Sequence, residues 1–182
     1  MSARTETLDL TAPARELVVE LAAGECRLEP GESDRVTVTL AGRNADLVEV
    51  EAAGGTVSVR LPRDGQVSRS SVALSVAVPP GLDLTVRSAS MDVAAAVPLG
   101  DVDVRTASGD VRLSDVASLS VKAASGDVRV DRVAGDLTAA LASGDVWAAS
   151  VGGDVTTSTA SGDVRVDHAS GRLELKTASG EV

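Results

Sequence analysis

A chain of 182 residues is long enough to bury a core without cross-links, yet it holds no Phe or Tyr and one Trp, so Val, Leu and Ala must fill its interior. A thin core of short side chains suits two β-sheets pressed together better than a helical bundle, because β-branched residues pack well on a pleated surface. The net charge of −10, with no run of Lys or Arg, argues against nucleic acid as a partner, and a single cysteine, Cys26, excludes an internal disulfide.

In chain order, Met1 to Leu10 is polar and lacks the basic start and apolar centre of a signal peptide. No stretch reaches the roughly 20 apolar residues of a membrane-spanning helix. With the lone thiol, these features point to a soluble, cytoplasmic chain. Val48 to Ala52 and Thr56 to Val59 alternate around Gly54-Gly55, the pattern of a β-hairpin. Arg63 to Ser71 reads as a mobile loop, and Pro79-Pro80-Gly81 as a boundary. Residues 1–78 are therefore expected to be an irregular β-rich cap, and residues 79–182 a regular repeat continuous with it.

The repeat is explicit. Ala-Ser-Gly-Asp-Val starts at Ala107, Ala124, Ala142 and Ala160, at steps of 17, 18 and 18, and Ala178-Ser-Gly-Glu-Val182 follows. Weaker copies lie between them: Gly100-Asp-Val, Gly135-Asp-Leu, Gly153-Asp-Val and Gly171-Arg-Leu. The unit is nine residues and the full turn about 18, with one residue missing between Gly109 and Gly126, expected at a corner. In Asp127-Val-Arg-Val-Asp131 the valines alternate with charges, so each unit is a strand with Val128 and Val130 inward and Asp127, Arg129 and Asp131 outward. Ser and Gly make the corner, where Gly reaches a positive φ without steric cost. Stacked units give an all-β fold: a parallel β-helix, or solenoid, with about 18 residues per coil and Val128, Val130, Leu137 and Ala139 in its filling. Parallel crossovers are overwhelmingly right-handed, so a right-handed coil is expected. Ala23-Gly-Glu-Cys-Arg-Leu28 echoes the unit with Cys26 in the inward Val position, so the solenoid can begin early and be interrupted.

With these repeats and the opening Leu17-Val-Val-Glu-Leu-Ala-Ala-Gly-Glu-Cys-Arg-Leu28 in view, the chain resembles the DUF4097 family of bacterial β-repeat proteins, particularly its actinobacterial members without a signal. The resemblance covers nearly the whole length. It implies a β-helical fold, an adhesin-like role and no assigned catalytic residues. Where family members usually run on past the last unit, Val182 stops in mid-strand, as expected of either a truncated chain or a naturally open end.

The outward column of Asp110, Asp127, Asp145 and Asp163, ending in Glu181, places carboxylates one rung apart, where neighbours repel by roughly 1 kcal/mol in water. Backbone N–H groups of the next corner, and an arginine column of Arg112, Arg129 and Arg165 flanked by Asp131 and Asp167, are expected to offset that repulsion. Calcium, as in nine-residue Gly-rich β-rolls, is the weaker reading, because Asp and Arg stand where such a loop needs Gly. Trp147 takes the outward position between Arg129 and Arg165 and is expected on the surface, stacked between two guanidinium groups or serving as an interface anchor.

No catalytic, cofactor or metal site is expected. His168, the single histidine, belongs to a corner beside Asp167, and the corner serines Ser108, Ser125, Ser143 and Ser161 have no histidine partner. The expectation is a non-enzymatic scaffold or binding module. It engages a protein partner, or associates with itself through the open C-terminal coil at Val182, and Trp147, Arg129 and Arg165 are candidate interface residues. A self-assembling filament or homo-oligomer is the alternative, and a calcium-binding β-roll comes behind it.

Overall fold

The computed structural model describes residues 2–9, 13–32, 35–42, 45–62 and 71–181. In the N-terminal part these form β1 (Ser2–Asp9), β2 (Glu16–Pro30), β3 (Arg35–Gly42), a 3-10 turn (Ala45–Leu47), β4 (Glu49–Ala53), β5 (Thr56–Arg60) and β6 (Ser71–Val78). Next come β7 (Leu82–Ala95), β8 (Leu99–Ser108) and β9 (Val111–Ser125). Shorter strands complete the chain: β10 (Val128–Val133), β11 (Leu137–Ser143), β12 (Val146–Val151), β13 (Val155–Ser161), β14 (Val164–Ala169) and β15 (Leu173–Ser179).

The alternation of Val and charge sets both register and layering. One parallel stack holds β5, the leading halves of β2 and β7, then β8, the trailing half of β9, β11, β13 and β15. The other holds β6, the trailing halves of β2 and β7, the leading half of β9, then β10, β12 and β14. The long strands β2, β7 and β9 bend at a corner and serve both stacks. Inward residues from the two stacks share one core, and Val128, Val130, Leu137 and Ala139 are all within it. The result is an all-β, solenoid-like body.

Pairing follows the sequence repeat. Val93 pairs with Val111, Val111 with Val128, Val128 with Val146 and Val146 with Val164. The missing residue falls at a corner: Val116 pairs with Val133 but Leu119 with Leu137, so Ala117-Ser118 spans what Ala134-Gly135-Asp136 spans one turn later. Cys26 pairs with Val93 and is buried, at the head of this valine column.

The N-terminal part departs from the regular order in a specific way. β5 and β6 follow β2 in sequence but lie on its far side, each parallel to it. The chain therefore leaves the stack after β2 and adds strands beneath it, then returns to continue with β7. Three antiparallel pairings, β1 with β3, β3 with β6 and β4 with β5, close that end. The expected hairpin is β4–β5, and its Gly54 and Gly55 have φ of 61° and 90°, both positive as a type I′ turn requires. The polar N-terminus forms strand β1, a pairing that no apolar alternation announces. Residues 63–70 of the expected loop lie outside the described residues, and Ser71 opens β6. His168 lies near the end of β14, not in a corner.

Candidate functional site

Each Asp of the Gly-Asp-Val unit sits one residue after the corner, so its carboxylate reaches along the stack to the next corner. Asp92 Oδ1 accepts the N–H of Asp110 at 2.9 Å. Asp110 accepts that of Asp127 at 3.0 Å and Asp127 that of Asp145 at 3.0 Å. Asp145 accepts that of Asp163, and Asp163 that of Glu181, both at 2.8 Å. The bond from Asp127 N–H, with help from Arg112, holds the Asp110 carboxyl below the usual carboxylate range against the opposing effect of partial burial. A backbone donor on each rung offsets the carboxylate repulsion.

The ladder is longer than the five-copy reading anticipates. It begins at Asp92, in Ala89-Ser-Met-Asp-Val93, where Met91 stands in the Gly place and hides the motif. A second ladder runs along the opposite corner. Asp83 Oδ1 accepts the N–H of Asp101, Asp136 that of Asp154 and Asp154 that of Arg172, each at 2.8 Å. At the shortened corner the Ser118 hydroxyl donates to Asp101 Oδ1 at 2.6 Å. The weaker Gly-Asp copies carried this signal, since the same residue follows the same kind of corner.

The arginine column divides among different partners. Arg112 pairs with Asp110 at 2.7 Å, and Arg165 turns to Asp167 at 2.8 Å. Arg129 lies over the Trp147 ring, 4.3 Å from its centroid. Trp147 does stand between Arg129 and Arg165 in register, but the expected double stack is a single one, because Asp167 is the better charge partner for Arg165. The indole is half-buried rather than fully exposed.

Beside Arg129 the same outer face is notched. Arg27, Ala94, Arg112 and Arg129 occupy equivalent outward positions in successive rungs. The methyl of Ala94 leaves a gap between long neighbours. The resulting groove of about 430 Å³ is lined by Ala94 and Ala96 and rimmed by Arg27, Arg112, Arg129, Glu29 and Asp131. At the C-terminal end, β14 and β15 are the last strands of their stacks among the described residues; beyond β14 the Val164 N–H donates to the Glu181 carbonyl at 2.9 Å, and Leu173 is 47% exposed. Val182, a candidate interface residue from sequence, lies outside the described residues.

Among the described residues no group of three His, Cys, Asp or Glu side chains converges as a metal site would require. Burial, and secondarily the charge of Glu25, pushes the Cys26 thiol up to about 12, which keeps it a neutral core side chain. Among the described residues no helix is long and apolar enough to cross a membrane.

The fold recurs in solved structures. A "putative adhesin" from Bacteroides fragilis superimposes with a TM-score of 0.55 at 11% identity, covering 100% of this chain and 97% of its own. A "putative adhesin" from Parabacteroides distasonis gives 0.52 at 11% identity, with 100% and 97% covered. No curated protein sequence matches the chain. At that identity the likeness speaks to fold alone, but the Toastrack DUF4097 family model matches residues 14–182, nearly the full length over which the repeat and the stacked strands extend. The chain belongs to the Toastrack (DUF4097) family.

Proposed function

We propose that the protein is a non-enzymatic protein-binding scaffold, a right-handed β-helix of about 18 residues per coil that presents one outer face to a partner. Pairing steps of 17 and 18 residues support the coil length, and the strong right-handed preference of parallel crossovers supports the hand. Residues 1–78 act as the cap of this scaffold and residues 79–182 as its regular part. The adhesin designation of the two structural neighbours accords with a binding role.

The observation that carries the reading is the groove at Ala94 with Arg129 on its rim, and Trp147 stacked under Arg129 one rung further along the same face. Trp and Arg are the side chains most enriched at binding hot spots, and a half-buried ring held by a guanidinium is already ordered before binding. Three arginines against Glu29 and Asp131 leave the rim net positive in a chain of net charge −10, so a partner surface bearing carboxylates is favoured.

The test compares capture of protein from native lysate by wild type, Ala94→Arg, which fills the notch, and Trp147→Ala. A partner retained by wild type and lost by both variants is the expected outcome. Equal capture by all three would remove this face from consideration. Trp147 is the sole aromatic side chain, so intrinsic fluorescence reports the same surface directly.

A further inference from the structure

The charges around the groove at Ala94 are sorted into two flanks. On the Ala94 side stand Arg27 on the rung before and Arg112 and Arg129 on the rungs after. On the Ala96 side, two residues further along the strands, stand Glu29 and, beyond the small Ser114, Asp131. Residues two apart on a strand face the same way and lie about 6.6 Å apart, so a cationic flank and an anionic flank run side by side at that separation.

Three of these charges have no counter-charge. Arg27 and Arg112 are each tied to a carboxylate outside the groove, Glu25 and Asp110. Arg129 stacks on Trp147, 4.3 Å from the ring centroid, and has no carboxylate partner among the described residues. Asp131 and Glu29 have no cation partner among them either. The equivalent positions on β14 behave differently, since Arg165 and Asp167 close into an ion pair at 2.8 Å. The open Arg129 and Asp131 are thus a departure from the repeat, and its cause is the indole that holds the guanidinium.

We infer, resting on the binding face proposed above, that the groove takes an extended segment of a partner protein carrying an acidic and a basic side chain two residues apart. Laid along β7, such a segment turns both side chains toward the sheet at the same spacing of about 6.6 Å. The carboxylate enters the gap over Ala94, between Arg27 and Arg112 and on the flank of Arg129. The cationic group stands over Ala96, between Glu29 and Asp131. Ala94 and Ala96 give the aliphatic stems an apolar floor. The intervening side chain points to solvent and is unrestricted. A segment with two acidic groups would set one against Glu29 and Asp131, and a segment with two basic groups would set one against three arginines, so the sorted flanks select against both. Glu-x-Lys laid in one direction and Lys-x-Glu laid in the other present the same pattern.

Calorimetric titration of the full chain with capped peptides in an Ala/Ser host tests the inference, with Trp147 fluorescence reporting on Arg129 in parallel. A Glu-Ala-Lys peptide is expected to bind at least about tenfold tighter than Glu-Ala-Glu, Lys-Ala-Lys or the out-of-register Glu-Ala-Ala-Lys, and to lose that margin as salt is raised. In E29K/D131K both flanks are cationic, so the order should invert and Glu-Ala-Glu should bind best. Both positions are exposed, and circular dichroism verifies that the variant is folded. No binding of Glu-Ala-Lys at millimolar concentration, equal binding of the four peptides, or an unchanged order in E29K/D131K would overturn the inference. A lysate partner lost in Ala94→Arg and Trp147→Ala without any dipolar preference among the peptides would leave the binding face standing and remove only this segment. A dipolar preference with no partner captured would leave the selectivity of the groove standing and remove the lysate partner.

Discussion

At Asp110 a carboxylate that looks repelled by its neighbours is stabilised by the Asp127 N–H above it and by Arg112 beside it. Because its folded value lies below the ordinary carboxylate value, its contribution is complete above the unfolded pKa of about 3.9 and is lost as pH falls through the lower folded one. Asp110→Asn should therefore melt below wild type at neutral pH, by about 1 kcal/mol, and the two curves should converge in acid. A gap that stays constant with pH would show that the charge is not what the rung uses. Thr157 is the opposite case. It is 1% exposed, sits between Ala139 and Leu175 in register, and its hydroxyl has no hydrogen-bond partner among the described residues. Burying an unpaired hydroxyl is costly, and Val keeps the shape, so Thr157→Val should raise stability by about 1 kcal/mol in urea unfolding. A loss of that size would mean the hydroxyl is satisfied. Neither effect is legible from residue type: Asp110 needs the rung above it, and Thr157 stands in an ordinary alternating strand.

The strand-and-corner unit is where sequence and structure agree most closely. Alternation of Val with charge assigned the inward face, and the recurring Ser-Gly assigned the corner. The structure adds why Gly126 cannot be exchanged. Gly126 has a φ of 129°, and a Cβ there would lie 2.1 Å from the Gly109 carbonyl oxygen of the rung below. Gly126→Ala should cost about 3 kcal/mol or more. Gly135→Ala, whose φ is ordinary and whose nearest contact is the Ala117 carbonyl oxygen at 3.0 Å, should cost far less. Equal melting of the two variants would refute the close-approach argument. The unit also explains the hidden first rung: Met91 replaces Gly, so a search for Gly-Asp passes over Asp92 although its carboxylate does the same work. At the Trp147 position, sequence placed the ring between two arginines but could not choose between them, because the choice turns on Asp167 lying within reach of Arg165.

At the scale of the whole molecule, the repeat by itself determined an all-β stack, its inward residues, its corner chemistry and the shortened turn, because each depends on neighbours a fixed number of residues away. Cys26 could be aligned with the valine column for the same reason. The tertiary structure alone decided the order of the first rungs, in which β5 and β6 precede β2 in space while following it in sequence, because antiparallel and out-of-order pairings leave no period to read. It also decided the notch at Ala94, which depends on which side chains from separate rungs come to lie together, and a linear pattern of alternating residues does not contain that information.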